Sequence, residues 1–288
     1  MYITKKSERS FFIETDGKSI ETPFFVPAVS SMKANWNISE YVDLIKRIGY
    51  NSFLVSAYDV FEHKDREALM KHLSRNIDKQ IFFLDNGNFE AYWYKDKAWT
   101  LNKFKKILDD SYPDFSFSFD IFWKKDKSFA RHIKETITSI AKTAGMQKSG
   151  TTIALIHSES ETFPDIVRKI VNSVNPEIVA IPERELGSSI FEKAQTIKNI
   201  RLELDKTKQN VPIHVLGAGN PISILMYTLC GADIYDALDW SNVFVNPNSG
   251  QFLNFSQKDL VECECEACKL KKYSLRVPGY VSQSAILS

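Results

Sequence analysis

The chain has 288 residues, 43% of them hydrophobic and 25% charged, with a formal net charge of +1. That is ordinary globular composition with room for one large core, and its balance excludes a global pull towards nucleic acid or membrane, so a polyanion must be held by local patches. No apolar run reaches the roughly 18 residues of a membrane span, the charged N-terminus lacks the apolar stretch of a secretory signal, and three of the four cysteines are clustered rather than spread as a disulfide framework, so a cytoplasmic protein is expected.

In chain order, short β-rich apolar runs alternate with longer amphipathic ones. Strands are predicted at "FFVPA" (24–28), "SFLVSAY" (52–58), "QIFFLD" (80–85), "FSFSFD" (115–120), "TIALIH" (152–157), "EIVAIPE" (177–183), "IHVLGAG" (213–219) and "IYDAL" (234–238). Helical patterns fill the gaps at 38–49, 65–75, 101–110, 129–145, 164–174, 189–204 and 221–231. Repeated strand–helix units of this kind predict an α/β fold, a (β/α)8 TIM barrel spanning 1–288 as a single domain. Its last unit is irregular: the polar stretch "DWSNVFVNPNSGQFLNFSQKD" leads into "VECECEACKL" (261–270), so 239–288 reads as a zinc-knuckle appendage. Cys263, Cys265 and Cys268 have the C-x-C-x-x-C spacing of a structural Zn²⁺ site, three inert thiols being the alternative.

Barrel enzymes carry their chemistry at the C-terminal ends of the strands. There this sequence places Asp85, Asp120, His157 with Ser158, Glu183, the "GAGN" turn with Gly217 and Gly219, and Asp236. Each aspartate alone is equally explained as a helix cap or an Asx turn; three at one mouth point to a site. Such carboxylates suit glycosyl chemistry, in which one attacks an anomeric carbon, a second group handles the leaving-group proton, and a third binds the ring N–H groups of a purine. Phe89 is read either as a stacking surface for a flat base or as core packing. "GAGN" follows the seventh strand, a common phosphate-binding position.

Taken in order, "TPFFVPAVS" (22–30), "LDNGNFE" (84–90), "FSFDIF" (117–122), "VLGAGNPISILMYTLCGADIYDALDW" (215–240) and the cysteine knuckle resemble the tRNA-guanine transglycosylase superfamily over nearly the whole chain. "LDNGNFE" stands where that family has a D-S-G-G-F-Q-like motif. The resemblance implies Asp236 as the nucleophile that forms a covalent glycosyl-enzyme, Asp85 as general acid/base, Asp120 as the reader of the purine edge, and Phe89 as the ring that sandwiches the base. It implies exchange of guanine in nucleic acid for a free 7-deazaguanine base, such as 7-cyano-7-deazaguanine, without a soluble cofactor.

The sequence departs from the family at three places. His157-Ser158 replaces a Gln-Gly pair, "IPERELG" (181–187) replaces a glycine-rich segment, and 239–250 carries no Arg or Lys where bacterial tRNA enzymes have an arginine-bearing segment. The last difference favours the branch that acts on DNA over one that acts on tRNA, with "WKKDK" (123–127) and "KLKKY" (269–273) as candidate phosphate contacts or plain solvated faces. The family's fourth zinc ligand is a histidine beyond the last cysteine, and all five histidines here precede the knuckle. The expectation is a three-cysteine site completed by water, a carboxylate or a partner chain, or else a piece of a split protein. A homodimer or partner subunit, and a non-catalytic transglycosylase-like subunit, stay open as alternatives.

Overall fold

The computed structural model describes residues 2–7, 10–15, 17–32, 37–74, 80–126, 128–207, 209–246 and 249–254. The cysteine knuckle and "KLKKY" lie outside the described residues.

The chain begins with an antiparallel sheet, β1 (Tyr2–Ser7), β2 (Ser10–Thr15) and β3 (Lys18–Glu21). The strand–helix alternation follows: β4 (Phe24–Val29), α1 (Ile38–Arg47), β5 (Ser52–Ser56), α2 (Ala57–Glu62), α3 (Arg66–Ser74), β6 (Ile81–Asp85), α4 (Asn88–Trp93) and α5 (Leu101–Ser111). Next come β7 (Phe115–Phe117), α6 (Phe129–Met146), β8 (Thr151–Leu155), α7 (Phe163–Val174), β9 (Val179–Pro182), α8 (Ile190–Asp205), β10 (Ile213–Leu216), α9 (Pro221–Leu229) and β11 (Ile234–Ala237). Two 3-10 turns, one after β9 (Glu183–Glu185) and one after β11 (Asp239–Ser241), and a hairpin, β12 (Val243–Val245) and β13 (Phe252–Asn254), complete the described elements. Strands β4 to β11 run parallel and close into a barrel as β11 pairs with β4, so each of the eight predicted strands is a barrel stave.

Residue choice explains the local structure. Interior positions recur with period two along each stave. Phe83, Phe117, Leu155, Ala180 and Ile234 pack inside the barrel, while Phe82, Ile181 and Tyr235 face the helices. The same alternation carries on past the last apolar layer. Asp85 follows Phe83, His157 follows Leu155, and Asp236 follows Ile234 by two residues, so these polar side chains point into the barrel mouth. Helix starts are built by side chains: Ser189 accepts from the Glu192 N–H at α8, and Asn220 Oδ1 accepts from Ile222 N–H at 3.0 Å at α9. The Asn220 side chain thus occupies the helix amides to which the sequence reading of "GAGN" assigned a phosphate.

The N-terminal sheet closes the opposite end of the barrel. Ile13 and Ile20 join the interior cluster, and Lys18 Nζ reaches the Gln80 carbonyl at 3.2 Å and Asp114. No strand was expected there, because its run of charged and polar residues hides the few apolar positions. The predicted strands also overran their C-terminal ends. Residues 57–58 begin α2, and β7 stops at Phe117, because at the barrel mouth the chain leaves the ladder and bends over the cavity. Trp240 is buried in place of a regular eighth helix and donates its indole N–H to the Ala28 carbonyl at 2.7 Å.

Candidate active site

The C-terminal ends of the staves enclose a cavity of about 650 Å³. Asp85, Asp120 and Asp236 all line it, together with Phe89, His157, Glu183 and Gly217. The structure therefore brings together most of the residues selected from sequence. Ser158 and Gly219 do not line the cavity. Ser158 is buried behind it, its N–H donating to Glu185 Oε2 at 3.2 Å and its hydroxyl paired with Thr162 at 2.7 Å. A Cβ on Gly219 would lie 2.6 Å from the Ala237 Cβ, so this glycine lets the loop after β10 press against the strand that carries Asp236.

Asp85 ends β6 and uses one oxygen in the local turn, where Oδ2 accepts from Gly87 N–H at 2.9 Å. The turn chemistry of "DNG" and the cavity placement are thus compatible readings of one residue. Gly87 is required twice over: its φ is +81°, and a Cβ there would meet Tyr58 N at 2.5 Å. Burial, together with the Glu90, Asp120 and Asp236 carboxylates, pushes Asp85 well above the usual carboxylate range, against the pull of the Gly87 N–H. The upward shift favours the protonated carboxyl, the form that can donate a proton.

Asp236 is held from below. His214, fully buried among Phe83 and Phe117, places Nε2 at 3.0 Å from Asp236 Oδ1. Its Nδ1 has no hydrogen-bond partner in that apolar cage. A neutral imidazole with its proton on Nε2 satisfies this arrangement, since a second N–H would be stranded. It donates to one carboxylate oxygen, fixes the carboxylate's rotation and leaves the other oxygen for the cavity.

Asp120 sits on the loop beyond β7. Its Oδ1 accepts from Asn86 Nδ2 at 3.1 Å and faces His157 Nε2 at 3.3 Å. His157 Nδ1 lies 2.8 Å from Glu185 Oε1, and the Phe122 ring packs on the imidazole with centroids 4.9 Å apart. Burial alone would lower the His157 pKa; the Asp120 and Glu185 carboxylates outweigh it and raise it to about 9. His157 is thus an imidazolium clamped between two carboxylates. Glu183, on the same wall, accepts from Tyr227 Oη at 2.7 Å and pairs with Lys193 at 3.3 Å.

Two positions at the candidate site escaped the sequence reading. Glu90 lies on the buried side of α4 and lines the cavity; Oε1 accepts from Ser30 and Oε2 from Ser56, each at 2.6 Å. Burial and the Asp59 charge raise it to about 7 against the two hydroxyl donors. A carboxylate at the glutamine place of the D-S-G-G-F-Q-like motif was the available signal. His214 announced itself only as a polar residue at an interior position of "IHVL". Among the described residues no group of three His, Cys, Asp or Glu could hold a metal ion.

No family profile matches the sequence. Curated relatives do align over most of it. The chain is 23% identical over 279 residues to the tRNA-guanine(15) transglycosylase of Methanosphaera stadtmanae, an alignment covering 88% of this chain and 38% of that protein. It is 22% identical over 235 residues to the protein of that name from Nanoarchaeum equitans (80% and 55% covered) and 21% identical over 277 residues to that from Archaeoglobus fulgidus (89% and 54%). These alignments, low in identity but long in coverage, support membership of the tRNA-guanine transglycosylase superfamily. The chain spans between 38% and 55% of the length of these three relatives. Asp85, Asp120 and Asp236 stand in the three stretches that carry the resemblance, with Glu90 in the first of them and His157 beside Asp120. No helix among the described residues is long and apolar enough to cross a membrane.

Proposed function

We propose that this chain exchanges guanine in a nucleic acid for a free 7-deazaguanine base through a covalent glycosyl-enzyme. The observation that carries the reading is the convergence of Asp85, Asp120 and Asp236 on one cavity at the mouth of the barrel. The ionised Asp236 carboxylate attacks C1′ of the target nucleotide as the bond to guanine N9 breaks. Protonated Asp85 gives its proton to the departing base. The incoming base then attacks C1′ through its own N9, returns a proton to Asp85 and releases Asp236. Two displacements at one carbon retain configuration, and protons and bonds balance without a soluble cofactor. Asp120 reads the purine edge, with His157 holding its carboxylate in place from 3.3 Å. Phe89 covers the face of the base.

The relatives are named for tRNA, which favours tRNA as the polynucleotide. The absence of Arg and Lys from 239–250 supports DNA as the second reading. A structural Zn²⁺ on Cys263, Cys265 and Cys268 belongs to the same proposal, although these residues lie outside the described part of the chain. Metal analysis of the purified protein before and after Cys265→Ser checks it.

The deciding experiment supplies labelled 7-cyano-7-deazaguanine with bulk tRNA and plasmid DNA side by side. Label in tRNA, lost in Asp236→Ala, supports the favoured reading, and label in DNA alone supports the second. No label in either substrate from a folded protein that still binds nucleic acid overturns base exchange and leaves a non-catalytic subunit.

A further inference from the structure

Helix α4 is built inside out. Its buried side carries a carboxylate, Glu90, together with Ala91. Its solvent side carries Phe89, Tyr92 and Trp93, which are 39%, 69% and 54% exposed. An amphipathic surface helix does the opposite, and stability alone would reverse both choices. Positions i, i+3 and i+4 share one helix face, so the three rings form a continuous row. Tyr92 and Trp93 meet edge to face with centroids 5.6 Å apart and planes at 81°; Phe89 and Trp93 do so at 6.3 Å and 68°. Edge-to-face contact covers only one face of one ring in each pair, and the exposure of all three leaves aromatic surface open to solvent. The row is continuous with the active cavity, because all three residues also line its wall.

The row is also fixed in place. Tyr94, directly after the helix, stacks on Tyr58 with centroids 5.9 Å apart, and Tyr58 packs edge-on against Trp99. Trp99 in turn donates its indole N–H to the Asn86 carbonyl at 3.0 Å, inside the "DNG" turn next to Asp85. The exposed rings are therefore pinned to the same turn that presents the acid. Lys95 and Lys97 follow within a few residues, both solvent-exposed.

From this geometry we propose that the exposed face of α4 is a stacking platform for bases of a single-stranded polynucleotide that flank the nucleotide in the cavity, with Lys95 and Lys97 contacting its phosphates. A flat base stacks on an aromatic ring whatever its identity, and lysines beside such rings track the backbone. A nucleotide reaches a deep cavity only after it leaves its own stack. Rings at the lip replace that lost stacking for its neighbours. The inference rests on the base-exchange reading for the meaning of the cavity, but its test does not.

The test is binding of guanine-free homopolymers, oligouridylate and oligothymidylate, which leave no guanine for the cavity, followed by fluorescence anisotropy. The intact chain binds both if the platform is generic for single strands, and one only if the sugar is read as well. Tyr92→Ala and Trp93→Ala each weaken binding about tenfold, whereas Tyr92→Phe and Trp93→Phe, which keep a ring face, stay within about twofold. Lys95→Ala with Lys97→Ala lowers the salt dependence. Absence of homopolymer binding by the intact chain, or unchanged affinity in Trp93→Ala, overturns the platform. Calorimetry with free guanine separates the two claims. Homopolymer binding through Trp93 without guanine binding keeps the platform and sinks base exchange. Base exchange whose KM for polynucleotide ignores Trp93→Ala keeps the enzyme and sinks the platform.

Discussion

The two ends of this barrel are made from the same strands and follow opposite rules. At the closed end, Lys18 and Asp114 form a buried ion pair, and Asp114 also accepts from Phe82 N–H at 2.9 Å. Charge there is matched and roofed by Ile13 and Ile20. At the open end Asp85, Glu90, Asp120 and Asp236 share one cavity, and among the described residues none has a Lys or Arg ion-pair partner. The His157 imidazolium, 3.3 Å from Asp120, supplies what neutralisation there is, and His214 gives Asp236 a hydrogen bond at 3.0 Å. Like charges kept together without a Lys or Arg partner help burial to raise the pKa of Asp85 and oppose stability. The closed end pairs its charges, and the open end gathers these carboxylates around a cavity.

Mutations at the two ends should therefore separate activity from stability. The largest effect is expected at the open end: Asp236→Asn lowers the exchange rate by at least about a thousandfold while leaving the melting temperature unchanged or slightly higher, since a repelling charge is removed. Parallel turnover and thermal-melting measurements check both halves. At the closed end Asp114→Ala strands Lys18 and the Phe82 N–H; it should cost about 2–4 kcal/mol in urea unfolding, with the turnover number of the surviving folded enzyme intact.

Glu90→Gln sharpens the comparison within the open end. The folded pKa of about 7 lies above the ordinary carboxylate value, so the protonated form is favoured by folding, and stability is full below about pH 4.5 and declines as pH rises through 7. Glutamine removes that decline and should gain about 1–3 kcal/mol over the parent at pH 8 but little at pH 5. Removing this carboxylate also lowers the pKa of Asp85, so the alkaline limb of kcat/KM moves to lower pH. An unshifted limb would show that Glu90 does not set the proton affinity of Asp85.

The smallest effect is expected at His157, whose folded pKa of about 9 exceeds the ordinary imidazole value. Its contribution is present in full below about pH 6.5 and is lost as pH rises through 9. His157→Gln should flatten the fall in stability between pH 7 and 9 by about 1 kcal/mol, read from melting curves across that range. The same variant would relax the hold on Asp120 and raise the KM for the incoming base.

Much of this was legible from sequence because period-two alternation extends beyond the hydrophobic layer. Where Phe83, Leu155 and Ile234 point inward, Asp85, His157 and Asp236 must also do so, and composition plus spacing sufficed to place them at one mouth. Glu90 and His214 were not legible in the same way. A glutamate in the first turn of a helix, five residues past a strand end, reads as a solvated helix residue until the fold buries it under Ser30 and Ser56. A histidine in a stave reads as ordinary packing until the neighbouring strand brings Asp236 beside it.

The linear chain by itself determined the eight staves, their inward-facing residues and the motif order that marks the superfamily, because these depend on local periodicity and on residue identity. Only the tertiary structure decided which partners the site residues acquire. It set Ser158 behind the cavity against Glu185, seated Ile13 and Ile20 of the N-terminal sheet on the barrel interior and turned the aromatic face of α4 to solvent at the cavity lip. Those outcomes depend on contacts between residues far apart in the chain, whose energies no local pattern encodes.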